Sequence, residues 1–191
     1  MKMTRRKFLN VSTAAAVVCA ATLLPVEKAA AAQQTMAAQE LLEQAYLYAF
    51  PLVLMDATRK VSTNTETPND TRAPINQFIH AKKLADAASR AVVTPNVDTI
   101  YTQAFLDVSA EPMLYGVPQT DRFFNVQVLD AWTNTVAVLE APGLYAITRS
   151  DWQGKLPEGV QRINVPTNMV WTIARIVLSG QEDLPNVRAI Q

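Results

Sequence analysis

Cysteine, histidine and glycine are scarce in this chain. Its 191 residues include one Cys, one His and five Gly. A single Cys excludes an intrachain disulfide. With one imidazole and one thiol, no ordinary structural zinc site can be assembled, because such sites draw four ligands from Cys and His. No two glycines form a G-x-G, so the backbone cannot wrap a pyrophosphate in the dinucleotide-binding manner. Gly154-Lys155-Leu156-Pro157-Glu158-Gly159 imitates the start of a phosphate loop. Val160-Gln161 then stands where that loop needs Lys and Ser/Thr. There is also no G-x-S-x-G elbow and no H-E-x-x-H. No metal ligands are singled out, and the sequence names no cofactor.

What is present is a globular composition, 49% hydrophobic with 17 basic and 17 acidic residues. That balance conceals an asymmetry. Arg5-Arg6-Lys7-Phe8-Leu9 precedes an uncharged run from Val11 to Leu24, then Pro25 and a small-residue stretch from Ala29 to Ala32. Charged start, apolar middle and small-residue end form a secretory signal, and the arginine pair is of the twin-arginine type, which exports folded chains. The run is too short for a bilayer-spanning anchor of about 20 residues. Cys19 does not mark a lipoprotein, since Val18 occupies the position of a small residue.

Cleavage after Ala32 leaves 159 residues, without the only Cys. The segment carries five of the basic residues and one of the acidic ones, so the mature chain has 12 against 16, a formal charge of −4. An acidic chain without a basic cluster offers nucleic acid no electrostatic footprint. The expected location is periplasmic or secreted, with no stable membrane anchor after cleavage.

Apolar residues at Leu42, Ala45, Tyr46, Ala49 and Val53 predict a helix over 37–62. Pro51 inside it predicts a kink or two short helices. Residues 63–74 read as a loop. Phe78 and His80 alternate like a strand, whereas Lys82 to Ala88 favours helix. Beyond Arg90 the period changes to two. Ile100, Thr102, Ala104, Leu106 and Val108 share one face, and Tyr101, Gln103, Phe105 and Asp107 the other. Further strands are predicted over 123–129, 135–139, 144–149, 160–165 and 169–178. Asp183-Leu184-Pro185 predicts a helix with Asp183 as N-cap, barely begun at Gln191. The fold class is α+β, N-terminal helices on a mainly antiparallel sheet or sandwich.

Polar residues concentrate in two segments, Asn96–Tyr101 and Asp130–Asn134. In the first, Asn96 and Asp98 suit turn capping. The alternative is Asp98 as general base or hard-metal ligand, with Tyr101 as donor. In the second, Asp130 continues the face of Phe124, Val126 and Val128, so its carboxylate is expected inside, bonded to turn amides or to a partner. His80 is the sole neutral-pH proton shuttle available. Arg175 lies in an apolar strand and calls for an anionic partner, with Asp98 and Asp130 as candidates, or for an anionic ligand. The candidate catalytic residues are therefore Asp98, His80 and Tyr101, and the candidate binding residues Asn96, Asp130, Asn134 and Arg175.

Several of these pieces recur in one order: Phe50-Pro51-Leu52, Asn76-x-Phe78-x-His80, Pro95-Asn96-x-Asp98-Thr99-x-Tyr101, Asp130-Ala131-x-Thr133-Asn134, Gly143-x-Tyr145, Trp152-x-Gly154 and Pro166-Thr167-Asn168-x-x-Trp171-x-x-x-Arg175. In this the chain resembles a bacterial family called domain of unknown function 1254 (DUF1254). The resemblance implies an exported protein joining N-terminal helices to β-structure over residues 33–191, with no settled reaction. It also implies a companion β-sandwich domain, of unknown-function family 1214, beginning where this sequence stops, so the domain is expected to be incomplete at its C-terminus. Three functional expectations follow: a hydrolase-type enzyme with a polar pocket for a small-molecule ligand, a non-enzymatic envelope binding or assembly module, or a fragment that needs that companion.

Overall fold

The computed structural model describes residues 36–90 and 92–191. The signal segment, its Ala32 cleavage point and Cys19 lie outside the described residues. Residues 36–62 form helix α1, assigned without a break through Pro51. Of the two expectations, a kink or two short helices, the division into two does not occur. Proline removes only one i→i−4 bond, and its fixed φ is itself helical.

Chain contacts divide at Phe50/Pro51 into two units. In the first, residues 36–50 are helical and almost wholly exposed, with Gln39–Glu43 and Gln44–Glu40 side-chain bonds along the helix. The second, Pro51–Gln191, contains the last turns of α1 and all the β-structure. Those last turns bury Met55 and pair Asp56 with Arg59 and Lys60, each at 2.7 Å.

Eight strands follow: β1 Ile79–His80, β2 Thr99–Asp107, β3 Met113–Val117, β4 Phe124–Leu129, β5 Thr135–Leu139, β6 Gly143–Arg149, β7 Val160–Val165 and β8 Met169–Val177. They make a five-stranded sheet, β1-β2-β8-β4-β5, and a three-stranded sheet, β3-β6-β7. Every pairing is antiparallel except β6 with β7. A short 3-10 turn (Gln181–Asp183) leads into helix α2, Leu184–Ile190.

The two-residue period of β2 is realised as read. Ile100, Thr102, Ala104, Leu106 and Val108 are all buried. Ala104, Leu106, Val126, Val128, Val170 and Ala174 of the larger sheet join Tyr115, Val117, Tyr145, Ile147 and Val165 of the smaller one in a single core. A second apolar cluster docks α2, through the fully buried Val187, onto Ile100, Ile176 and Leu178.

Three local expectations are corrected. Residues 82–88 form no helix, because Asp86 Oδ1 accepts from the Ala88 amide and the Ser89 hydroxyl, fixing a turn that competes with the helical ladder. Strand β3 was not foreseen: it is five residues long and interrupted by Gly116, with Tyr115 and Val117 buried in the core and Met113 packed partly against it. Asp183 occupies the N-cap position of α2, yet its side chain makes no cap bond. Its carboxylate is instead forked onto Arg122, at 2.6 and 3.2 Å, and accepts from Ser179 N and Asn186 Nδ2. Arg122 also donates to Val177 O, which ties the end of β8 to the α2 junction.

The Trp152-x-Gly154 pair also has a steric reason. A Cβ at position 154 would fall 2.1 Å from the Trp152 ring. That ring lies 5.1 Å from the Arg162 guanidinium, whose donors hold Thr148, Asn164 and the Trp152 carbonyl.

The Arg122 fork, followed by the Asn186 and Ser179 donors, holds the Asp183 carboxyl below its ordinary value of 3.8. A depressed folded-state pKa adds stability above the unfolded value that is lost as pH falls toward the folded one. Asp183→Asn is therefore expected to lower the melting temperature at pH 7 and to narrow its gap from wild type steadily below about pH 4. Thermal melts of the two proteins across that range check this.

Candidate functional site

The sequence-derived candidates fall into four places. At the entry to β2, Asn96 Oδ1 accepts from the Asp98 and Thr99 amides, at 2.7 and 2.9 Å. Asn96 is thus the turn cap. The Asp98 carbonyl accepts from Leu178 N, while its carboxylate is exposed and bonded to no other described residue.

At the far end of the same sheet, Asp130 is buried, at 2% exposure. Its oxygens accept from Trp132 N, Asn134 N and Asn134 Nδ2 at 2.9, 2.9 and 3.0 Å. Those bonds shape a tight turn in which Thr133 takes the left-handed φ of 68°. The carboxylate is thus satisfied by its own turn, and Ala131 N is held in addition by Thr167 Oγ1. The register puts Asp130 one position beyond the Leu129–Trp171 pair, whereas Asp98 bonds Leu178. Eight strand residues at about 3.3 Å each separate the two levels, roughly 26 Å. The Asn96–Tyr101 and Asp130–Asn134 segments do not share one pocket.

His80 belongs to the inner face. It pairs in register with Thr102, and its Nδ1 lies 2.9 Å from Thr102 Oγ1. Gln191 Nε2 donates to the same hydroxyl at 3.0 Å and to the Tyr101 and Ala81 carbonyls. Phe78 flanks the imidazole at 5.6 Å between ring centroids. Burial pushes the His80 pKa below its usual 6.5. The arrangement anchors the last residue of the sequence to β1 and β2.

Tyr101 and Arg175 are brought together on the opposite, outer face, directly across the β2–β8 ladder. The guanidinium carbon lies 5.6 Å from the Tyr101 ring, and Nη2 donates to Gln127 Oε1 at 3.0 Å. Gln127 in turn donates to Thr135 Oγ1 at 2.7 Å, and Trp171 Nε1 donates to Gln103 Oε1 at 3.1 Å while its ring stacks on Phe105. The expected partnership of Arg175 with Asp98 or Asp130 is absent, because both carboxylates belong to turns beyond the ends of the strands. Gln103, Gln127 and Asn125 were not singled out in the sequence. Their signal was polar residues alternating with apolar ones in two strands, but that they border one arginine depends on strand order and register.

Among the described residues no group of three His, Cys, Asp or Glu side chains could hold a metal ion, and no helix is long and apolar enough to cross a membrane.

Replacing Asp130 removes the acceptor of two backbone amides and one side-chain amide, each part-buried bond contributing about 0.5–1.5 kcal/mol, or more where the acceptor is charged. Asp130→Ala is expected to destabilise the protein by at least that amount, with Asp130→Asn retaining part of the loss. Urea denaturation of both variants measures it.

Comparison with proteins of known structure shows the same fold elsewhere. The crystal structure of the VPA0106 protein from Vibrio parahaemolyticus superposes with a TM-score of 0.63 at 24% identity, covering 79% of this chain. This chain spans 36% of the length of that protein. Comparison with curated proteins finds no match. The family model described as "Protein of unknown function (DUF1254)" matches residues 75–191, more than half of the sequence. It takes in β1 to α2 with the Tyr101–Arg175 pair, the His80–Thr102 bond and the Asp130 turn, and the chain belongs to the DUF1254 family.

Proposed function

We propose that this DUF1254 protein is an exported binding and assembly module of the cell envelope, in the periplasm or outside the cell. One observation carries the assembly reading. In residues 36–50, Leu42, Tyr46 and Phe50 recur every four residues with exposures of 71, 64 and 47%, and Leu47 beside them is 70% exposed. Four large side chains left to water forgo several kcal/mol at about 25 cal/mol per Å² of apolar surface, which favours a partner surface over them. Its occupant is a companion β-sandwich domain of the family-1214 kind. The greater length of the Vibrio protein of the same fold supports an additional domain against this one.

The placement of the acid–base candidates supports binding over hydrolysis. His80 faces inward, Arg175 outward, and Asp98 stands in an exposed turn, so no two of them flank a common point. A hydrolase of the expected type needs base and anion stabiliser on one substrate. Export is supported by the Arg5-Arg6 signal alone.

Two outcomes are expected. Replacing Arg5 and Arg6 by Lys leaves the precursor in the cytoplasm, as read by cell fractionation with an immunoblot. A purified family-1214 domain binds the mature protein in calorimetric titration, and Leu42→Glu with Tyr46→Glu weakens that binding at least tenfold while leaving the melting temperature within a few degrees. Heat signals absent for the wild-type pair would overturn the assembly reading.

A further inference from the structure

The five strands of the larger sheet contain one basic Arg or Lys side chain and one carboxylate, Arg175 and Asp107. They are not partners. Asp107 is in register with Met169 and Arg175 with Tyr101, six residues or about 20 Å apart along the strand. Arg175 is half-buried, and among the described residues its two side-chain interactions are with neutral groups, the Tyr101 ring and Gln127 Oε1. A guanidinium has five N–H donors. Only the one given to Gln127 meets an acceptor among the described residues, which leaves four.

Partial burial of a cation is unfavourable unless an anion or several acceptors compensate it. Here the side chain is held in place from two sides, by a ring and by an amide that is itself fixed to Thr135. Among the described residues no carboxylate pairs with it. A planar fork with both of its edges only lightly engaged matches a carboxylate, which accepts two parallel N–H bonds. The charge also discriminates. No second cation lies in these strands, so a single negative charge is neutralised, whereas a phosphate dianion would be left half-compensated.

We infer that the outer face of the larger sheet around Arg175 is a binding site for a small organic monocarboxylate, gripped by the free donors of the guanidinium and bordered by Tyr101 and Gln127. The inference stands or falls independently of the docking partner.

The test uses the mature exported protein with sodium benzoate as probe, against sodium phosphate and sodium chloride at matched ionic strength. Side-chain ¹⁵N spectra should show the Arg175 Nε–H resonance moving saturably with benzoate, and titration calorimetry should show phosphate at least tenfold weaker. Arg175→Lys keeps the charge but loses the fork and should weaken benzoate at least tenfold. An unmoved Arg175 resonance in wild type overturns the site, whatever the stability of the variant. Equal affinity for phosphate, or for benzoate in Arg175→Lys, overturns its carboxylate specificity.

Discussion

Strand β8 is the constraint on which the rest of the molecule depends. It is the only strand hydrogen-bonded to both β2 and β4, with nine and six register pairs respectively. Its inward residues, Val170, Thr172, Ala174 and Ile176, are all buried; Val170 and Ala174 join the core between the sheets, and Ile176 the cluster that docks α2. Because side chains alternate strictly, the same alignment forces Trp171, Ile173 and Arg175 onto the other face. Burying one side of β8 therefore also decides which polar residues border Arg175.

The ends of this strand show how polar groups are used. At one end Arg122 bonds both the Val177 carbonyl and the Asp183 carboxylate, and so couples β8 to α2. At the other, Asp130 spends its oxygens on its own turn. His80 and Gln191 share one hydroxyl, Thr102, on the inner face of β2. Arg122, Asp130 and Gln191 are engaged with backbone, and His80 with the Thr102 hydroxyl. Arg175 differs: it is fixed in position and matched to no anion, which is why the functional argument converges there.

Much of the architecture was legible beforehand. The alternation Ile100, Thr102, Ala104, Leu106, Val108 gave the buried face of β2, and strands β5 and β7 have the bounds read from their sequences. Strand β3 escaped because Gly116 weakens a five-residue pattern already short of alternation. The helix expected at 82–88 failed because Asp86 and Ser89 offered the backbone a local alternative that composition does not reveal. Asp183 was recognised as a helix-start residue, but its partner lies 61 positions earlier, and no local signal names it.

By itself the sequence determined the α+β class, the positions of most strands, the inward face of β2 and the missing chemistries, since periodicity and composition are local properties of the chain. Tertiary structure alone decided which polar residues meet. Strand order and register are long-range, and a change of one residue in register would turn Arg175 inward and His80 away from Thr102. The seven candidates read from the sequence are consequently distributed over two turns and two opposite faces, and only Tyr101 and Arg175 are joined across the ladder.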